Sequence, residues 1–263
     1  MSGSAFEQRA RAYVANALPH AGVHERQKLL DDWFEKEKAA KGICDDFAKR
    51  AGDPSGKAIL DIGFGNGITA AAFTRRGAKL SGVEVSEELF SIAMDYLKER
   101  GIPADLRLYE GTVFPFPDGA FDYIYSVSVL EHVSDPVAVL KESYRVLKRG
   151  GTFYLAFPNR WNPKETHTGI WFLGYLPRSV AGALLTLFGR NSIPDWNLHF
   201  LSYFWLKRLL KKHDIPFTVR LLDGSSGGIK RLLARLLAAF GVHHSAILPH
   251  VMVVLQKRHV RKK

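Results

Sequence analysis

Hydrophobic residues follow two rhythms along this chain, and from Lys57 to Phe157 the rhythms alternate. Short apolar runs of the kind that form buried strands occur at KAILDI, KLSGVEV, ADLRLYE, FDYIYSV and GTFYLAF. Between them the apolar spacing lengthens to the helical period in ITAAAFTRRG, SEELFSIAMDYLKERG and DPVAVLKESYRVLKRG. The boundaries are marked chemically. Ser86 is placed to cap the second helix, with Glu87 and Glu88 in its first turn and Gly101 at its end. Asp135 and Pro136 open the third. Strands alternating with helices predict βαβ units on a parallel, doubly wound α/β sheet. After residue 200, LSYFWLKRLLKKHD predicts a helix, and FTVRLLDG and ILPHVMVVLQ predict a closing antiparallel pair of strands.

Three regions interrupt this alternation. Residues 1–56, with Leu29, Leu30, Trp33 and Phe34 clustered, predict helices that cover one end of the sheet. Residues 158–200 are expected to form an insertion, splitting the core into 57–157 and 201–258. That insertion contains GIWFLGYLPRSVAGALLTLFG, in which Arg178 is the one charge. Gly174, Pro177, Gly182 and Arg178 break it as a membrane-spanning helix. It is read as a cap over a substrate pocket or as a segment dipping into a membrane interface. A second insertion at 225–246 holds GIKRLLARLLAAFG. Ile229, Leu232, Leu233, Leu236, Leu237 and Phe240 fall on one helical stripe there, with Lys230, Arg231 and Arg235 beside it. Such a stripe suits a helix lying in a membrane surface, or a lid helix facing the core.

Charge sharpens that choice. The chain of 263 residues carries a net +11, and up to residue 199 its acidic and basic residues balance. The thirteen Lys and Arg after that point face only Asp214 and Asp223, so the whole excess lies in the last quarter. A local basic patch implies an anionic partner surface, and residues 228–240 with the terminal KRHVRKK fit a lipid headgroup layer. RNA is the alternative, weakened because the arginines flank leucines rather than stacking aromatics. The single cysteine, Cys44, forms no internal disulfide and reads as a buried structural thiol. No CxxC or Cys/His cluster calls for zinc, and no metal is expected. The first twenty residues are too charged for a secretory signal, so the cytoplasm is expected, with the inner face of the membrane as a second placing.

The stretch ILDIGFGNG puts glycine at every second position after a strand, the usual place for a cofactor in such a sheet. A dinucleotide fingerprint would need glycine at 68, where Ile68 stands. The spacing is Asp61-x-Gly63-x-Gly65-x-Gly67 instead. Glu84 ends the second strand, where a carboxylate can take both hydroxyls of a ribose. In YEGTVFPFPDGAFD, Glu110 can accept from an adenine amino group, and Gly111 and Thr112 offer backbone N–H groups. With these motifs the chain resembles the class I S-adenosylmethionine-dependent methyltransferases over roughly residues 45–160 and 200–258. The resemblance implies a Rossmann-like seven-stranded sheet, mostly parallel, with a helical cap insertion, and S-adenosylmethionine as cofactor. It implies cofactor contacts from Asp61, Gly63, Phe64, Gly65, Asn66, Gly67, Glu84, Val85, Ser86, Glu110, Gly111, Thr112, Ser126 and Val127. Family members often carry aspartate where Glu110 stands.

The acceptor side is read from residues past the fourth and fifth strands. His132, in SVSVLEHVSDP, reads equally as a general base and as a histidine packed on the adenosine side. Glu131 beside it is a candidate to orient the substrate or to bind a metal. AFPNRWNPKETHTG supplies Asn159, Arg160, Glu165 and His167, and DWNLHFLSY supplies His199. His132 and His167 are the catalytic candidates; Glu131, Asn159, Arg160, Glu165 and His199 are substrate candidates. The expected reaction is O-methylation of a sugar, a lipid-linked intermediate or another amphiphilic small molecule. A nucleic-acid methyltransferase and a non-catalytic membrane-binding module with the same fold are the alternatives.

Overall fold

A computed structural model describes residues 4–17, 23–187, 197–222 and 248–257. The expected amphipathic helix at 228–240 and the terminal residues 258–263 lie outside the described residues. Seven strands form one sheet in the order β3-β2-β1-β4-β5-β7-β6. The chain divides into two compact units, Met1–Tyr125 and Ser126–Lys263.

In the first unit β1 (Ala58–Ile62) lies between β2 (Lys79–Glu84) and β4 (Phe121–Val127), parallel to both. Strand β3 (Asp105–Leu108) extends the parallel set beyond β2. Asp61 pairs with Gly82, and Glu84 is the last residue of β2. Both carboxylates therefore sit toward the carboxyl edge of the sheet, where doubly wound folds bind ligands. Helix α3 (Ile68–Arg75) follows β1, and α4 (Glu87–Glu99) follows β2. Ser86 caps α4 by accepting from the Leu89 N–H, as its sequence position predicts. Two N-terminal helices, α1 (Ala5–Ala17) and α2 (Val23–Arg50), pack here too. Ala10, Val14 and Leu30 are buried between them, with Tyr13, Trp33 and Phe34 alongside. Arg100 ties them to α4. Its guanidinium lies 3.9 Å from the centre of the Tyr96 ring and donates to Glu37 of α2.

Gly67 shows why the turn after β1 needs glycine. Its φ of 78° is left-handed, and a Cβ there would meet the Ala93 Cβ at 2.9 Å and its Cα at 3.1 Å. Helices α3 and α4 approach that closely only because the side chain is absent. Gly67→Ala combines the left-handed penalty with overpacking against backbone. We expect it to lower stability by about 3 kcal/mol, read as a reduced urea midpoint at unchanged slope. An unchanged midpoint would remove this role for Gly67.

In the second unit, β7 (His250–Lys257) lies between β5 (Leu147–Pro158) and β6 (Phe217–Leu221), antiparallel to both. Helix α5 (Pro136–Val146) begins at Asp135, whose carboxylate accepts from the Val137 and Ala138 N–H groups. The sequence pattern carries this helix to Gly150, but it stops at Val146 and Leu147 already belongs to β5. Lys257 supplies the physical reason. Its ammonium donates to the carbonyls of Tyr144 at 2.6 Å and Leu147 at 2.7 Å, satisfying the open end of the helix. That contact comes from the far end of the chain and leaves no local trace in the pattern.

The insertion between β5 and the next core helix has a small core of its own. Leu173, Ala181, Leu185 and Leu198 are buried together, with Ile170, Leu176 and Phe200 packed against them. A short 3₁₀ turn (Leu173–Tyr175) and α6 (Arg178–Leu187) supply most of these residues. Among the described residues no helix is long and apolar enough to cross a membrane. Helix α7 (Tyr203–Lys212) returns the chain to the sheet, capped by Ser202 on the Trp205 N–H.

Candidate active site

Two groups of chemistry-bearing side chains stand out, one in each unit. In the first unit the glycine turn and the end of β2 build a nest around two buried carboxylates. Gly63, Gly65 and Gly67 all have positive φ, at 69°, 57° and 78°. A Cβ on Gly65 would enter open space, so it is the backbone conformation that requires glycine there. The Gly65 N–H donates to Glu84 Oε2 at 3.1 Å. The N–H groups of Val85 and Ser86 donate to Glu84 Oε1 at 2.8 and 3.2 Å. Three backbone donors thus fix the Glu84 carboxylate, and each oxygen keeps capacity for a further donor.

Asp61 is the unsatisfied member. It is 2% exposed, and its Oδ2 has no hydrogen-bond partner. Burial, and secondarily the negative charge of Glu84, push its carboxyl up to about 8. Two buried carboxylates of this kind repel a phosphate and suit a ligand carrying positive charge and a vicinal diol. S-Adenosylmethionine, with its sulfonium, ammonium and ribose, has that chemistry and carries no phosphate, whereas a dinucleotide brings an anionic pyrophosphate. Phe64 is buried beneath the turn, and the Asn66 side chain accepts from the Ile68 N–H. Ser86 is committed to its cap. Glu110 and Thr112 are exposed in the loop after β3, and Gly111 has a φ of 83°. Tyr13 on α1 is an addition the sequence did not flag. Burial raises its phenol, and so do the charges of Glu84 and Glu88, which places it within electrostatic reach of the Glu84 carboxylate. Its only sequence signal is an aromatic on an amphipathic helix, which core residues share.

In the second unit Ser126 is buried and Val127 exposed at the end of β4. Beyond them the chain brings together four residues that sequence alone left scattered. His132 Nε2 and His167 Nε2 lie 3.2 Å apart with the rings perpendicular. His167 Nδ1 lies 3.0 Å from Glu165 Oε1. Glu165 also accepts from the His167 and Thr168 N–H groups and from the Thr168 hydroxyl. Those bonds outweigh burial and hold its carboxyl down at about 2. Burial lowers the His167 imidazole, but the Glu165 bond and the charges of Glu165 and Glu131 raise it further, so the net shift is upward. Glu131, 1% exposed, lies 4.0 Å from His167 Nε2, and neither of its oxygens has a hydrogen-bond partner. Burial drives its carboxyl up to about 7.

The arrangement has two chemical uses. With the His167 proton on Nδ1 toward Glu165, its Nε2 lone pair faces His132 Nε2, a geometry that traps a proton. The ligand atoms of Glu131, His132 and His167 also lie within 4.8 Å of one another, so the three could hold a metal ion. Among the remaining acceptor-side candidates, Asn159 is buried and donates to the Leu248 carbonyl. Arg160 donates to the Gly174 carbonyl, and His199 Nε2 lies 3.1 Å from the Val133 carbonyl. The structure commits these three side chains to internal bonds. Cys44 is buried, and burial raises its thiol to about 11, an inert state.

A family model described as a methyltransferase domain matches residues 60–155. The chain is 33% identical over 176 residues to the ubiquinone biosynthesis O-methyltransferase of Pseudomonas paraeruginosa, covering 62% of this chain and 75% of that protein. It is 31% identical over 170 residues to the protein of the same name from Chromobacterium violaceum, covering 60% and 72%. Among solved structures, an S-adenosylmethionine-dependent methyltransferase from Aquifex aeolicus superposes with a TM-score of 0.54 at 16% identity, covering 90% of this chain and all of that one. The [4+2]-cyclase SpnF superposes at 0.55 with 22% identity, covering 84% and 82%. Likeness to a cyclase shows that the shared fold does not by itself fix the reaction.

Proposed function

Because the chain belongs to the class I S-adenosylmethionine-dependent methyltransferases, we propose that it methylates a hydroxyl group of an amphiphilic small molecule. The observation that carries the choice of oxygen is the His132–His167 pair backed by Glu165, since a hydroxyl needs a base where an amine does not. The relatives named as O-methyltransferases point the same way. When bound, the cofactor supplies a methyl group activated on a sulfonium. Glu84, held by three backbone N–H groups, takes the ribose hydroxyls, and Asp61 meets positive charge. The exposed loop with Glu110, Gly111 and Thr112 reads the adenine.

On the acceptor side, Glu165 fixes the His167 proton on Nδ1. As the acceptor oxygen gains the methyl, its proton passes to His132 and is shared with His167 Nε2. The resulting positive charge is balanced by Glu131 and Glu165. Trp171, Phe172 and Tyr175, all exposed on the cap, suit the apolar part of an amphiphile. The direct test offers the protein octylcatechol and octyl glucoside with labelled cofactor and locates the methyl by mass spectrometry. Label on oxygen of either probe supports the reading; label found only on nitrogen or carbon acceptors removes it.

A second reading is favoured by the two partnerless oxygens of Glu131: a divalent cation held by Glu131, His132 and His167, with Glu165 behind His167. The cation would lower the pKa of the acceptor hydroxyl in place of a base. Loss of methyl transfer in chelator, restored by a divalent metal, selects this reading. Full activity in chelator selects the base.

A further inference from the structure

Glu131 and His132 lie on the turn between β4 and α5. The His132 N–H donates to the Val129 carbonyl within it, and Ser128 enters it at a φ of 57°. A three-residue segment of the cap bonds to this turn. The His199 N–H donates to the Glu131 carbonyl at 2.8 Å. The Asn197 side-chain amide donates to the His132 carbonyl at 2.7 Å. His199 Nε2, protonated, donates to the Val133 carbonyl at 3.1 Å. Three consecutive carbonyls are thereby fixed, one after another, by two residues. Leu198 between them is 1% exposed and belongs to the cap core with Leu173, Ala181 and Leu185. Asn197 takes a left-handed φ of 45°, a conformation asparagine tolerates better than most residues.

We infer that Asn197 and His199 are positioning residues that clip the Glu131–Val133 turn to the core of the cap and thereby aim His132 at His167. Fixing three successive peptide planes fixes the direction of the His132 Cα–Cβ bond. His199, a substrate candidate by sequence, acts through the backbone of the turn instead. Burial, followed by the charge of Arg178, lowers its imidazole and keeps it neutral, consistent with a fixed donor. The inference rests on the reading that His132 serves the acceptor.

The test uses the full chain with labelled histidines and needs no acceptor for its first readout. In the wild type, nitrogen spectra of the imidazoles should show His132 and His167 titrating as a coupled pair. Asn197→Gly removes the amide donor and leaves the backbone at ease; His199→Phe removes the ring donor. Each should uncouple the pair, so that the two imidazole signals no longer shift together. His199→Gln, which can donate from the same place, should restore coupling. With octylcatechol as acceptor, kcat should fall about tenfold in Asn197→Gly and His199→Phe, with KM, cofactor affinity and Tm held. Coupled titration and wild-type kcat in both variants overturn the inference while leaving the role of His132 intact. An active His132→Ala removes the reading beneath it, and the inference with it.

Discussion

His132→Ala should lower kcat for an acceptor hydroxyl by about a hundredfold or more, with cofactor affinity unchanged. The two effects separate because the proposed function gives the cofactor contacts to Asp61, the glycine turn and Glu84, and the acceptor proton to His132. Glu165→Gln refines the test. Glu165 raises the His167 imidazole through a hydrogen bond and its charge, and the working pair must start with an open lone pair between its rings. Activity should therefore rise with pH through a value above the ordinary 6.5 for histidine. Removing the carboxylate withdraws the groups that favour the protonated form. The rising limb then moves to lower pH, while the plateau falls because the His167 tautomer is no longer held. A limb that stays in place in Glu165→Gln would show that His167 does not titrate in the reaction. Steady-state kcat across pH, with cofactor affinity measured alongside, decides it.

The cofactor half of this chemistry was legible because it is local. Asp61 and the three glycines fall within seven residues, and Glu84 follows at the end of the next strand, so strand and turn patterns place them together. The acceptor half was legible only as separate candidates. His132 and His167 are 35 residues apart, and nothing in spacing says that two Nε2 atoms will meet. The sequence offers Glu165 as a substrate contact, while in the folded loop four neighbouring donors consume its oxygens. The helix end at Val146 was missed for the same reason: the capping ammonium of Lys257 arrives from 110 residues away. Local pattern reports what a segment prefers, and these outcomes were decided by partners distant in the chain.

Asp61→Asn should weaken cofactor binding by about a hundredfold and at the same time make the cofactor-free protein more stable at high pH. Both follow from one carboxylate. Asp61 is buried with an unpartnered oxygen beside Glu84, and its carboxyl stands at about 8 against 3.8 for an unperturbed aspartate. In the unfolded chain it releases its proton near 3.8; in the folded protein it holds on until about 8. Between those values the unfolded state binds fewer protons, so stability falls as pH rises across the window and levels off above it. Asparagine carries no proton to lose, and that decline should vanish. Thermal melts of the cofactor-free proteins should therefore coincide near pH 4 and diverge toward pH 8, with the variant higher. The cofactor reverses the order, because its positive charge favours the ionised carboxylate that burial opposes; a charge-assisted contact of about 2–3 kcal/mol is lost with it. Calorimetric titration with the cofactor and melts with and without it read both halves in one pair of proteins. Parallel melting curves across the window would mean that Asp61 is solvated or paired in solution. Unchanged affinity would mean that the glycine turn and Glu84 hold the cofactor without it.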